Sequence, residues 1–506
     1  RAPAEPVGGA DGPHAAGGGC VHVATLCLLA KPMCERLEHE RRVFHGCFAE
    51  YVGQYEGDTI ADKTLGWWTD AFASALEPTL RARAAGAKND TARIEALSEF
   101  YPLFSAMARM RSRFGATLWS SARLDAALRC HAAPLVDAWI GRAASLFASA
   151  VGELRSAPAA TLWCAPADDA AQCLHCPAFD PLLRELLDAA TAFGQMRLPR
   201  ALAIEFAPRL CASIGSAVCE AAELMCAGLC TREQLAQLRR RGDARDGAAW
   251  SLSSLGHSLG LDFDAKRAAG LQAKLAELSL DGLCRRANTG RAAADHLARL
   301  ERLLHAPVPS SSWEGGPEHG AAADGAAFAR AHAARDDALA RACEHVGAKV
   351  VLADLREPLM VELLPEDDDG GPLSADLKPA LKALDRAAGV VLRWACDAEV
   401  RRSLIRAIFE ALVDAFEGVL ARGTHVRELL PADADALDDG LALLEDFFVA
   451  RHPHSGEVQG ISPDEVHAAT APLRRMLEAL GCEAAPPVGI AGAGALAHAD
   501  VTSQYI

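Results

Sequence analysis

Aromatic side chains make up only 6% of this 506-residue chain, and runs of β-branched residues are scarce. Strands are built from such side chains, so the shortage excludes a fold resting on long sheets. Long apolar runs are lacking as well. The best, Val21 to Ala30, contains His22 and stops at Lys31-Pro32, well short of the ~18–20 residues that cross a bilayer. Basic charge is in deficit: 51 Lys and Arg face 67 Asp and Glu, a formal net charge of −16. That balance argues against nucleic acid, whose phosphates are held by cations that displace counterions, and against adhesion to an anionic leaflet. A Gly-rich phosphate loop, a Gly-x-Ser-x-Gly elbow and a His-Glu-x-x-His pair are all missing. Neither enzymatic activity nor a cofactor is therefore expected.

What is present favours helix. Alanine, leucine, arginine and glutamate dominate, and all are good helix formers. Leu437, Leu441, Leu444 and Phe448 fall at i, i+4, i+7 and i+11, one face of a helix. Leu404, Ile408, Leu412, Phe416 and Leu420 repeat every four residues. The stripes carry no polar cluster, so the expected interior is dry hydrocarbon. The chain is too long for one core, and the expectation is an all-α, elongated rod of stacked antiparallel helix bundles.

Composition divides the chain. Residues 1–19 are rich in Gly, Ala and Pro and are read as disordered, and Arg1 in place of Met suggests a fragment. Helical bundles are expected over 20–306, with a looser stretch at 157–181 and an interruption around 242–260. A Pro/Ser/Gly linker follows at 307–325, then a second helical bundle over 326–480 and a flexible tail at 481–506. No repeat of solenoid length is visible.

Sixteen cysteines lie mostly on apolar faces, where a free thiol acts as a small hydrophobe in a reducing cytosol. Cys20, Cys27 and Cys34 form one such stripe, and Cys219, Cys226 and Cys230 another. Cys164, Cys173, His175 and Cys176 form the one ligand-like group, with a zinc-type Cys-x-x-Cys spacing. A second well-spaced pair is missing, so no metal is assigned. Glu366 to Asp369 lies between Pro365 and Gly370-Gly371-Pro372, and Asp336-Asp337 lacks a third acid four positions on. The Asp-rich magnesium motif of helical terpenoid synthases is thus a poor fit. Trp67 and Trp68 are adjacent, so on a helix they point about 100° apart and cannot both face one core.

Three segments carry a resemblance. Asp62-Lys63-Thr64-Leu65-Gly66-Trp67 resembles the "DKTLEW" signature of the MUN domain in Munc-type vesicle-priming proteins. Leu283-Cys284-Arg285-Arg286-Ala287-Asn288-Thr289, followed by Leu297, Leu300, Leu303 and Leu304, is similar to that family's "LCVRINN" segment. Asp354-Leu355-Arg356-Glu357-Pro358, then Gly423, Arg427, Asp433 and the striped helix ending in Phe447-Phe448, resembles the second Munc homology domain, most like the plant PATROL-type branch. Together they cover roughly residues 45–480. Where that branch has "GGDGLP" this chain has Arg451-His452-Pro453-His454-Ser455-Gly456. The Asn-x-x-Phe pair tied to SNARE opening falls on Ala108 and Arg111.

The resemblance implies a cytoplasmic tethering or priming factor that promotes SNARE-dependent exocytosis or delivery of membrane proteins to the plasma membrane. Its partners would be SNARE proteins and other trafficking factors. Membrane association would be peripheral, through partners or flanking regions. A general helical tether without a SNARE-specific step is the alternative. Trp67, Trp68, Phe104, Arg111, Phe447 and Phe448 are the candidate partner-binding residues.

Overall fold

The computed structural model describes residues 60–114, 122–158, 162–163, 174–241, 262–304, 321–355, 377–422, 431–449 and 461–482, with scattered positions between 32 and 47. The described residues contain no strand, and fourteen α-helices have described bounds. The chain is all-α, as its composition implies. Contacts divide it into two compact units, one of residues 1–227 and 289–339, the other of 228–288 and 340–506. Of the expected linker at 307–325, residues 307–320 lie outside the described set and 321–325 already belong to a helix.

In the first unit, α1 (Ile60–Gly86) packs on α3 (Ala122–His131), and α2 (Asp90–Phe114) packs on α4 (Ala133–Ser156). Helix α4 also meets α5 (Asp180–Met196) and α6 (Arg200–Cys226). The buried residues of α4 (Leu135, Val136, Ile140, Ala143, Phe147, Val151 and Leu154) recur every three or four positions. They join one continuous apolar core with Leu76, Leu97, Phe100 and Leu186. Each such side chain, fully buried, contributes about 1.5–3 kcal/mol. Helix α5 ends in a left-handed residue, Arg197 at φ 48°. Gly228, at φ 80°, makes the turn after α6 without a Cβ penalty.

Helix α6 corrects one expectation. Its segment Ala201–Cys226 is long and apolar enough to cross a membrane by length and composition. The signal comes from many small residues, Ala, Ser, Gly and Cys, instead of a run of Leu or Ile. Some 44% of its most apolar stretch is buried inside the protein, as in the core helix of a bundle.

The second unit contains α7 (Arg232–Arg241) and α8 (Asp262–Glu277), followed by the start of α9 (Leu280–Leu304) and the end of α10 (Ala321–Ala348). A π-helical turn, Lys349–Asp354, continues α10. Then come α11 (Lys378–Trp394), α12 (Ala398–Arg422), α13 (Pro431–Val449) and α14 (Pro463–Cys482). The sequence stripes are core here: Leu437, Leu441, Leu444 and Phe448 are at most 2% exposed, and Leu404, Ile408, Leu412 and Phe416 are buried. Gly347 is where α10 meets α12 most closely. A Cβ there would collide with the carbonyl of Ala407, a backbone atom that has nowhere to go.

Candidate partner-binding surface and the polar core behind it

Adjacent positions on α1 send Trp67 and Trp68 to different environments. Trp68 is half-buried against the first unit's core. Trp67 is 65% exposed and sits edge-to-face on Trp68, ring centroids 5.4 Å apart. On α2, Phe104 is fully buried and stacks on Phe100 at 6.2 Å. On α13, Phe448 is 1% exposed, with its ring 5.0 Å from that of Phe409. Phe104 and Phe448 are therefore core residues, because each lies on the inward stripe of its helix; neither faces a partner in this conformation. Phe447, half-buried, stands edge-to-face on Phe448. One turn before it, Leu443 is 48% exposed. The side chain of Arg111 lies outside the described residues.

The ligand-like group does not assemble among the described residues. Cys164 and Cys173 lie outside them. His175 Nε2 is 2.8 Å from Asp180 Oδ1. Cys176 is buried; its amide donates to Thr289 Oγ1 at 3.0 Å and its thiol to the carbonyl of Leu162 at 3.0 Å. Among the described residues no group of three or more His, Cys, Asp and Glu is placed to hold a metal. Glu366–Asp369, His452 and His454 also fall outside the described set.

The interior of the second unit departs from dry hydrocarbon. Arg285, Arg286, Asn288, His345, Asp433, Glu445 and Thr470 are all buried there. Three of them come from the "LCVRINN"-like segment. Asn288 donates to the carbonyl of Trp394 at 2.6 Å, in the last turn of α11, and accepts the Cys396 amide at 3.0 Å. One side chain thus satisfies the backbone on both sides of the turn, groups that are costly to bury unmade. The guanidinium of Arg285 lies over the Trp394 ring, 5.4 Å from its centroid. Asp397 then caps α12, accepting the Val400 amide at 2.8 Å.

A second node joins α13 to α14. Arg474 donates to Glu445 Oε2 at 2.5 Å and to Asp438 at 3.0 Å. Thr470 donates to Glu445 as well, through a short hydrogen bond. Burial alone would raise the Glu445 carboxyl, but the hydrogen bonds from Arg474 and Thr470 outweigh it and hold the group below its ordinary range. The same bonds, above all that with Glu445, push Arg474 up.

The third node holds the connection after α6. The Cys230 amide donates to His345 Nε2 at 2.8 Å, and Arg341, one turn earlier on α10, donates to the Cys230 carbonyl at 3.2 Å. His345 Nδ1 meets the carbonyl of Arg341 at 2.7 Å, which places the ring proton on Nδ1. Thr231 and Gln234 then close a reciprocal capping box on α7. Cys230 belongs to this connection and not to a helical stripe with Cys219 and Cys226, since α6 stops at Cys226. The nearby thiols of Cys284 and Cys343 are pushed up by burial to about 12 each, so they remain protonated at neutral pH.

These nodes bind backbone and fix helix ends, and the surfaces left to a partner are Trp67 in one unit and the Leu443–Phe447 ridge in the other. Comparison with known proteins points the same way as the motifs. Residues 263–481 match the family model described as PATROL1-like, TPR repeats. The helices within that span run from 16 to 28 residues, and their unequal lengths explain why no fixed period shows in the sequence. A relative, the protein unc-13 homolog of Arabidopsis thaliana, is 26% identical over 113 residues, covering 22% of this chain and 10% of that protein. Over residues 263–481 this chain is PATROL1-like, in keeping with the plant PATROL-type MUN resemblance of its motifs.

Proposed function

We propose that this protein is a non-enzymatic tethering or priming factor in vesicle traffic, acting in the cytoplasm at vesicles or the plasma membrane. The PATROL1-like match over residues 263–481 carries the reading. The all-α architecture supports it physically. Packed helices give rigid surfaces, and a helix ridge or groove holds a partner helix through contacts at i, i+3, i+4 and i+7. A SNARE helix held in register would have less ordering entropy to lose on zippering. Ala108 and Arg111 stand where the SNARE-opening pair is expected. That departure favours a second form of the same reading, a helical tether that binds SNAREs or other trafficking factors without opening them.

The test is a reconstituted vesicle-docking and lipid-mixing assay with purified SNAREs. Faster docking and mixing is the expected result for a priming factor. Docking alone is expected for a tether. No effect on either, together with no retention of any SNARE motif on the immobilised protein, would refute the proposal.

A further inference from the structure

The His345–Cys230 contact is built in a way that only the neutral ring can satisfy. Nε2 must accept, because what faces it is the backbone N–H of Cys230. Nδ1 is already committed to the carbonyl of Arg341. The ring is fully buried. The charged groups bearing on it are Arg341 from its own helix, Arg286 from α9 and Lys274 from α8, all cations. The Cys230 thiol shares the site, under the influence of Lys274 and Arg341. Around them Leu235, Leu271, Leu275 and Ala348 form a small apolar cluster with Cys230. A proton added at Nε2 would turn the acceptor into a donor facing a donor, inside an apolar pocket beside three positive charges.

We propose that His345 and Cys230 form an acid-released latch: protonation of Nε2 expels the Cys230 amide and frees the 228–231 connection from α10. The proton comes from solvent and stays on the ring, and no covalent bond changes. In the closed state the ring resists protonation down to about pH 4, chiefly because of burial. In the open state it regains its ordinary value near 6.5. The closed latch therefore binds fewer protons between those limits, and closure weakens as pH falls through that window. Between pH 7 and pH 5 the open population rises about twentyfold. This inference does not depend on the trafficking reading, and its test shares no readout with the docking assay.

The test is segment-resolved hydrogen exchange on the full chain at pH 7, 6 and 5, corrected for intrinsic rates. The expected result is a loss of protection at residues 229–235 of about twentyfold, with α4 unchanged. His345→Gln keeps an acceptor near the same place but does not titrate, so it should abolish the pH dependence. Nitrogen NMR of the wild-type ring provides a check that needs no variant: an Nδ1-protonated, Nε2-accepting imidazole at pH 7. Protection at 229–235 that stays constant from pH 7 to pH 5, or a ring protonated on Nε2 at pH 7, would overturn the latch.

Discussion

The two units solve the problem of fixing helices by different means. Among the described residues, the first unit buries three polar side chains, Thr69, Thr79 and Thr289, within a continuous apolar core. The second buries two arginines, an asparagine, a histidine, two acids and a threonine, each with partners on the main chain or on another side chain. Apolar burial is non-directional and stabilises many arrangements almost equally. Hydrogen-bonded nodes at helix ends reward one arrangement, and fail sharply when a partner is removed. The second unit, which holds most of the PATROL1-like span, is thus specified by direction as well as by volume.

That contrast can be broken or sharpened by substitution, with urea unfolding as the measurement. The largest effect is expected at Gly347→Val, where the new side chain meets the backbone of Ala407: a loss of about 4 kcal/mol or more. A loss under ~1 kcal/mol would show that α10 and α12 are not held as described. Phe104→Ala in the first unit should cost about 3–5 kcal/mol through the cavity it leaves, with no change in pH profile. Arg474→Met strands the buried Glu445 carboxylate and should cost about 2 kcal/mol at pH 7. Pairing it with Glu445→Leu should recover most of that, as an apolar replacement for both partners.

The sign of the pH effect follows from the depressed Glu445 carboxyl. Its contribution is present above the ordinary carboxylate range and is lost as pH falls through its folded value. In the Arg474→Met variant that acid-side loss should disappear. The smallest expected effect is Gly141→Ala on α4, where a methyl meets nothing within 4 Å. It should stabilise the first unit by about 0.5–1 kcal/mol through helix propensity alone. Destabilisation there would mean that the first unit is also built on close backbone approach.

Much of the fold was legible because helical periodicity is a local property. Leu437 through Phe448 and Leu404 through Phe416 needed no knowledge of what they pack against. The adjacency of Trp67 and Trp68 likewise implied that one of them faces outward. The nodes were not legible, because their partners are far apart in sequence. His345 and Cys230 are 115 residues apart, and Asn288 and Cys396 are 108 apart. Glu445 and Asp446 are neighbouring acids on one helix, and nothing local says that the first is buried and the second exposed. Phe104 misled for the same reason: an aromatic looks alike on an inward or an outward stripe until the helix is placed.

The wide turn at Lys349–Asp354 has a consequence for the chain that follows it. The Leu355 amide reaches back five residues to the carbonyl of Val350, at 2.8 Å. One residue more than an α-helix would use is therefore spent in that loop. Deleting a single residue there would restore ordinary α-helical winding, but would rotate everything after it by about a hundred degrees. A length change of one amino acid at this point amounts to a change of aim, and an insertion or deletion here will matter more than most substitutions around it.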